Sequence, residues 1–133
     1  MAMMNLPGTW LHELAHWLLG LILGARPVKF TLWPRKEGDR WVLGSVGFTR
    51  LNIWNGAPVT MAPLLLLGLG WMLFEQGMPW LLHEGHVGWW LMSGYPIACC
   101  LTSGIPSSTD FKVGAASIAL YALAGYALTT VWP

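Results

Sequence analysis

The sequence contains little charge. Only 10% of its 133 residues are Asp, Glu, Lys or Arg, whereas soluble domains carry about 25%. The net charge is +1 and there is no run of basic residues, so a nucleic-acid partner is not expected. Hydrophobic residues make up 55% of the chain, and ten residues are tryptophan. This composition is typical of an integral membrane protein, and the length predicts one domain over residues 1–133.

Cysteine is equally scarce. Cys99 and Cys100 are the two cysteines, and their adjacency excludes both a disulfide framework and the ligand spacing of a cysteine-based zinc site. We expect them to be small core residues of a helix. The first residues also lack the basic stretch of a secretory signal, so the N-terminal apolar segment is expected to remain in the mature protein.

The chemically distinctive motif is His12-Glu13-Leu14-Ala15-His16. Residues four apart share one face of a helix, so His12 and His16 can offer imidazole nitrogens to one metal ion, usually zinc. Glu13, about 100° further round the helix, can act as a general base on water at that ion. Such motifs arise by chance in polar helices, but in this apolar run unpaired His and Glu side chains would be costly. The motif therefore predicts a metal site.

Four apolar segments predict a mainly α-helical membrane protein with about four transmembrane helices. Proline is expected to break the start of the second segment and to bend the third, and Glu75 is expected to end the second. A loop over 80–87 would follow. The four segments are 5–25, 56–74, 88–105 and 111–131.

A membrane-associated β-hairpin is predicted after the first helix, with strands over 28–33 and 41–49 and a polar turn over 34–40. Six of the seven basic residues lie between Arg26 and Arg50, which places the hairpin in the cytoplasm by the positive-inside rule. The 106–112 break would then also face the cytoplasm. The expected location is the cell membrane of a bacterium or archaeon, crossed several times.

A catalytic zinc normally has a third protein ligand. Asp110 is the first candidate, because it follows a loop and opens an apolar helix where a lone carboxylate is costly. A helix cap explains Asp110 equally well. The remaining candidates are His83, Glu84, His86 and Glu75, and loop histidines such as His83 are usually only solvated.

With these residues the chain resembles the site-2 protease family of intramembrane zinc metalloproteases. The resemblance rests on His12-Glu13-Leu14-Ala15-His16 in a membrane helix, the hairpin that follows, Gly56-Ala57-Pro58, and a later Asp. The family's Leu-Asp-Gly motif reads Thr109-Asp110-Phe111 here, and the upstream Asn-Pro-x-Pro stretch retains one proline, Pro106. The chain would be a minimal core without a PDZ or CBS domain.

The resemblance implies zinc held by His12, His16 and Asp110, with Glu13 as the catalytic base. The substrates would be membrane-embedded or membrane-proximal proteins or peptides, and an extended substrate segment would add to the edge of the hairpin. A regulatory membrane partner would be compatible with this reading.

Two other classes compete with a protease. One is a non-enzymatic zinc-binding membrane scaffold or partner subunit with a protease-like fold. Glu13 argues against it, because a structural zinc site needs no base and is normally closed by four protein ligands. The other is a metal transporter, which would need polar residues along a path through the membrane and ranks last.

The cytoplasmic position of the hairpin can be tested by labelling. A Glu37→Cys variant without Cys99 and Cys100 should resist an impermeant thiol reagent added to intact cells, and should react after the cells are opened. Labelling of intact cells would reverse the predicted orientation.

Overall fold

The computed structural model describes residues 6–33, 35–37, 40–42 and 44–131. It is mainly helical, with a small amount of antiparallel β-structure. The elements are α1 (Leu6–Ile22), β1 (Pro27–Thr31), β2 (Arg35–Glu37), β3 (Arg40–Val42), β4 (Ser45–Phe48), α2 (Gly56–Thr60), α3 (Leu64–Met72), a π-helical turn (Leu73–Gly77), α4 (Met78–His83), α5 (Val87–Ser103) and α6 (Ser108–Val131).

Two helical stretches are long and apolar enough to cross a membrane, Leu64–His83 and Ser108–Val131. Both leave large apolar side chains exposed, as expected of a surface that faces lipid. The first and third predicted segments form α1 and α5, with 17 residues each. The arrangement with four spans therefore stays a prediction.

The hairpin is longer than predicted. β1 pairs antiparallel with β4, and β2 pairs antiparallel with β3. The prediction of a turn over 34–40 was wrong at its ends, because 35–37 pair with 40–42. Pairing of β1 with β4 fixes which residues of the two chain segments face each other, so the residues that follow can also pair although they are polar. Residues 34, 38, 39 and 43 lie outside the described part of the chain.

The second apolar segment begins as predicted and ends later. α2 stops at Thr60, a turn follows, and α3 begins at Leu64, which confirms the broken start. The helix does not end at Glu75, however, but continues through the π-helical turn into α4. Pro79 follows the π-helical turn closely, where the α-helical hydrogen-bond pattern is already interrupted, so the N–H group that proline lacks costs little there.

The loop before α5 shrinks accordingly to residues 84–86. Gly85 adopts a φ of 73°, the left-handed conformation that glycine tolerates best. Asn5, whose residue type suits the cap of the first helix, lies outside the described residues.

α1 contacts both the hairpin and the helices α2, α3 and α5. The Phe48 ring packs directly on Gly20, and the indole N–H of Trp10 donates to the Leu32 carbonyl oxygen at 3.1 Å. The hairpin thus lies alongside α1 and not beyond its end. Cys99 and Cys100 are buried on α5, as predicted.

The last helix begins beside the histidine pair and follows α1. Asp110, in the first turn of α6, lies beside His12 and His16 in the middle of α1. Further along α6, the Tyr121 hydroxyl donates to the Trp54 carbonyl oxygen at 2.8 Å. Asn55, next to Trp54, donates in turn to Leu23 at the end of α1.

α6 therefore runs from the histidines towards the C-terminal end of α1. The 106–112 break therefore lies level with the histidine pair, which non-helical backbone can do where protein or a cavity surrounds it. Its position on the cytoplasmic side stays a prediction.

The close approach of α5 to α3 gives a stability test. A Cβ atom on Gly104 would lie 2.5 Å from the backbone nitrogen of Leu67, so Gly104→Ala should reduce the free energy of unfolding by about 1–3 kcal/mol. Gly68→Ala is the control, because no heavy atom lies within 4 Å of its added Cβ. That change should be neutral or stabilising by up to about 1 kcal/mol. Equal effects of the two substitutions in a detergent-based unfolding titration would contradict the packing.

Candidate metal centre

Three side chains meet between α1 and α6. His12 Nε2 lies 3.2 Å from His16 Nε2 and 3.3 Å from Asp110 Oδ2, and His16 Nε2 lies 3.2 Å from Asp110 Oδ1. The two histidines are adjacent because they lie one helical turn apart. His16 is buried, with 5% of its surface exposed, while His12 and Asp110 are partly buried. Among the described residues, these three form the cluster that could hold a metal ion.

The spacing of the donor atoms suits a tetrahedral ion. Bonds of about 2.0–2.2 Å from zinc to nitrogen and oxygen place neighbouring tetrahedral ligands roughly 3.3 Å apart. Two imidazole nitrogens and one carboxylate are also a ligand set found in catalytic zinc sites. The residues present therefore fit zinc in both chemistry and distance.

The backbone determines which imidazole nitrogen faces the cluster. His12 Nδ1 lies 2.7 Å from the Ser103 carbonyl oxygen, and His16 Nδ1 lies 2.8 Å from the Val59 carbonyl oxygen. A carbonyl oxygen only accepts, so each Nδ1 carries a proton and donates it. In the neutral rings both Nε2 lone pairs then point into the cluster, the orientation that metal-binding histidines normally have.

Three acceptors at this distance repel one another unless a cation lies between them. Protonation of an imidazole would supply a positive charge, but would place it on a largely buried ring. A divalent ion would satisfy all three groups together. The geometry thus supports a metal site without needing any movement of the side chains.

Asp110 is both a helix cap and a member of the cluster. Its Oδ2 atom accepts a hydrogen bond from Ser107 N–H at 2.6 Å, and its own N–H donates to Ser107 Oγ at 3.2 Å. These reciprocal bonds form a capping box at the start of α6. The two explanations of Asp110 left open by the sequence are therefore compatible, because the cap orients the carboxylate towards the histidines.

Glu13 lies beside the cluster without belonging to it. Its carboxylate is close enough for electrostatic interaction with His12, His16 and Asp110. Gly44, just before β4, leaves room for it, since a Cβ atom there would lie 2.7 Å from Glu13 Cγ. The hairpin thus bounds the space that Glu13 occupies.

A cavity of about 730 Å3 opens onto these residues. α1 contributes both histidines and Glu13, β4 contributes Val46, and α6 contributes Asp110. Several walls carry hydroxyl groups, which can hold water in an otherwise apolar protein. The hydroxyl-bearing lining residues are Thr9, Ser45, Thr60, Thr102, Ser103, Ser107 and Thr109.

The other candidate ligands do not join the cluster. His83 is 86% exposed and lies 3.6 Å from Glu84 across the short loop, and both Glu75 and His86 are exposed. Asn55 does not line the site either: it is buried, and its side-chain amide donates to the carbonyl oxygens of Leu23 and Arg50.

Sequence reasoning missed three contributors to the site. The carbonyl groups of Val59 and Ser103 carry no sequence signal, because every residue has one. The Ser107 cap could have been found, since Ser107-Ser108-Thr109-Asp110 has the spacing of a capping box. No family model, curated protein or solved structure matches the chain, so its assignment depends on the motif and this geometry.

The two roles of Asp110 can be separated by a matched pair of variants. Asp110→Asn keeps an oxygen that can accept from Ser107 N–H but removes the anionic ligand. We expect about one zinc per wild-type chain in detergent, and loss of most of it in Asp110→Asn. Ser107→Ala removes the hydroxyl cap, worth about 1 kcal/mol, but should keep zinc. Full zinc in Asp110→Asn would exclude Asp110 as a ligand.

Proposed function

We propose that this chain is an intramembrane zinc metalloprotease of the site-2 protease type, cleaving peptide bonds of membrane-embedded or membrane-proximal proteins. One observation carries the proposal. The donor atoms of His12, His16 and Asp110 lie 3.2–3.3 Å apart, and Glu13 lines the same cavity. The type of reaction and the class of substrate are proposed from the resemblance of the motif and the hairpin to that family.

The reaction is hydrolysis of an amide. His12, His16 and Asp110 would hold zinc, which when bound supplies Lewis acidity that activates water and polarises a carbonyl. Glu13 accepts the proton of the attacking water and passes it to the nitrogen of the leaving amine. The Ser103 and Val59 carbonyl groups keep the imidazoles in the required tautomer. The hydroxyl groups of the cavity lining can hold the water that the reaction needs.

The substrate must enter as extended chain, because a helical peptide bond is shielded by its own hydrogen bonds. β4 contributes Ser45, Val46 and Phe48 to the cavity wall and uses one edge to pair with β1. No strand covers its second edge within the described residues. We propose that a substrate segment pairs with this edge, which would bring its backbone past Glu13.

The membrane location belongs to the same proposal. It places the chain in a bacterial or archaeal cell membrane, crossed several times, with the hairpin on the cytoplasmic side. The two long apolar stretches Leu64–His83 and Ser108–Val131 support it. A regulatory partner in the membrane would be compatible with the exposed apolar surface.

A non-enzymatic zinc scaffold is the alternative. Its zinc would be expected to have four protein ligands, whereas three are brought together here among the described residues. It would also have no use for an acidic side chain in the cavity. Both features favour the enzyme.

The decisive experiment concerns Glu13. Glu13→Gln removes the base but none of the three proposed ligands, so it should retain zinc and lose cleavage by at least about 100-fold. The assay would use a tagged single-span substrate with a glycine-containing centre, in detergent. Glu84→Gln, at an exposed loop position, is the matched control and should leave both readouts unchanged. Wild-type protein that binds zinc but cleaves no substrate of this type would favour the scaffold.

A further inference from the structure

One face of α6 carries four residues that contact either the metal cluster or the segment 54–60. They are Asp110, Gly114, Ser117 and Tyr121, spaced by four, three and four residues. This spacing places their side chains along one line of the helix. Of these, Asp110 is a proposed ligand, and the other three have no role in the mechanism above.

Gly114 allows α6 to approach α2 closely. It is buried, and a Cβ atom at this position would collide with Thr60 Oγ1. Thr60 cannot easily turn away, because it is buried and its hydroxyl donates to the Gly56 carbonyl oxygen at 2.8 Å. The separation of the two helices is therefore set at Gly114.

Ser117 supplies a hydrogen bond that α2 lacks. The first N–H groups of a helix have no acceptor within that helix. The Ala57 N–H group is one of these and donates to Ser117 Oγ at 2.6 Å. Ser117 is only 3% exposed, so water does not readily replace it. Ser117 thus fixes α2 along the length of α6.

α2 in turn orients a proposed ligand. The Val59 carbonyl oxygen accepts the Nδ1 proton of His16 at 2.8 Å. A displacement of α2 would move this acceptor, whereas a displacement of α6 would move Asp110. The relative position of His16 and Asp110 consequently depends on how α2 and α6 pack.

We infer that Gly114 and Ser117 are positioning residues of the metal centre, which hold α2 against α6 so that His16 and Asp110 keep ligand spacing. This inference rests on the proposed zinc site. Neither residue touches the three donor atoms, and both act through α2. Tyr121 extends the same contact to Trp54 at the exposed end of the segment.

The test measures metal binding by the whole protein in detergent. Ser117→Ala adds no atom and removes the acceptor of Ala57, and Gly114→Ala introduces the collision with Thr60. Each should weaken zinc binding about 10-fold or more in competition with a chelator, the size of effect seen for groups that orient metal ligands. Each should also change the visible absorption of the Co2+-substituted protein, which reports ligand geometry. A merely structural role would lower the unfolding temperature without changing that spectrum.

Two controls match the changes on the same helix. Gly125→Ala adds a Cβ atom where no heavy atom lies within 4 Å, and Thr130→Ala removes a hydroxyl that bonds only within α6. Both should bind zinc as the wild type does. Thr60→Ala combined with Gly114→Ala removes the colliding hydroxyl and should recover part of the lost affinity.

The outcomes separate the two proposals. A wild type that binds no zinc overturns the proposed function and this inference with it. A wild type that binds zinc, with unchanged affinity and Co2+ spectrum in Ser117→Ala, overturns the inference alone. If Gly114→Ala fails to fold, the result for Ser117→Ala tests the inference by itself, because this substitution adds no atoms to the interface between α2 and α6.

Discussion

The structure depends on the convergence of three hydrogen-bond acceptors beside the cavity between α1 and α6. The Nε2 atoms of His12 and His16 and the carboxylate of Asp110 lie within 3.3 Å of one another. Backbone acceptors behind each imidazole and a capping box behind Asp110 hold the three groups in this arrangement. A divalent ion bound between them would satisfy all three acceptors together.

The break in the second apolar segment is the second constraint. α2 is only five residues long and is buried between α1 and α6, so its terminal N–H and C=O groups need partners inside the protein. Ser117 Oγ accepts the Ala57 N–H, and His16 Nδ1 donates to the Val59 carbonyl oxygen. The same polar groups that make a broken helix tolerable at this depth therefore also orient the site.

The predictions from sequence failed where a local signal competed with packing. Glu75 and Pro79 suggested a helix end, but a π-helical turn carried the helix through to His83. The polar residues 35–37 suggested a turn, but an existing strand register extended across them. In each case contacts between residues distant in sequence determined the secondary structure, because local propensity is weak by comparison.

The sequence by itself determined the membrane-like composition, the helix that carries His12, Glu13 and His16, the hairpin after it, and the short list of third ligands. Helical periodicity and the cost of charge in an apolar segment are local properties, so the sequence is enough to read them. Only the tertiary structure decided that Asp110 is the acidic group beside the histidines and that backbone carbonyl groups select their tautomers. Both depend on distances between residues more than 40 positions apart, and every residue has a carbonyl group, so nothing in the sequence distinguishes the ones that matter.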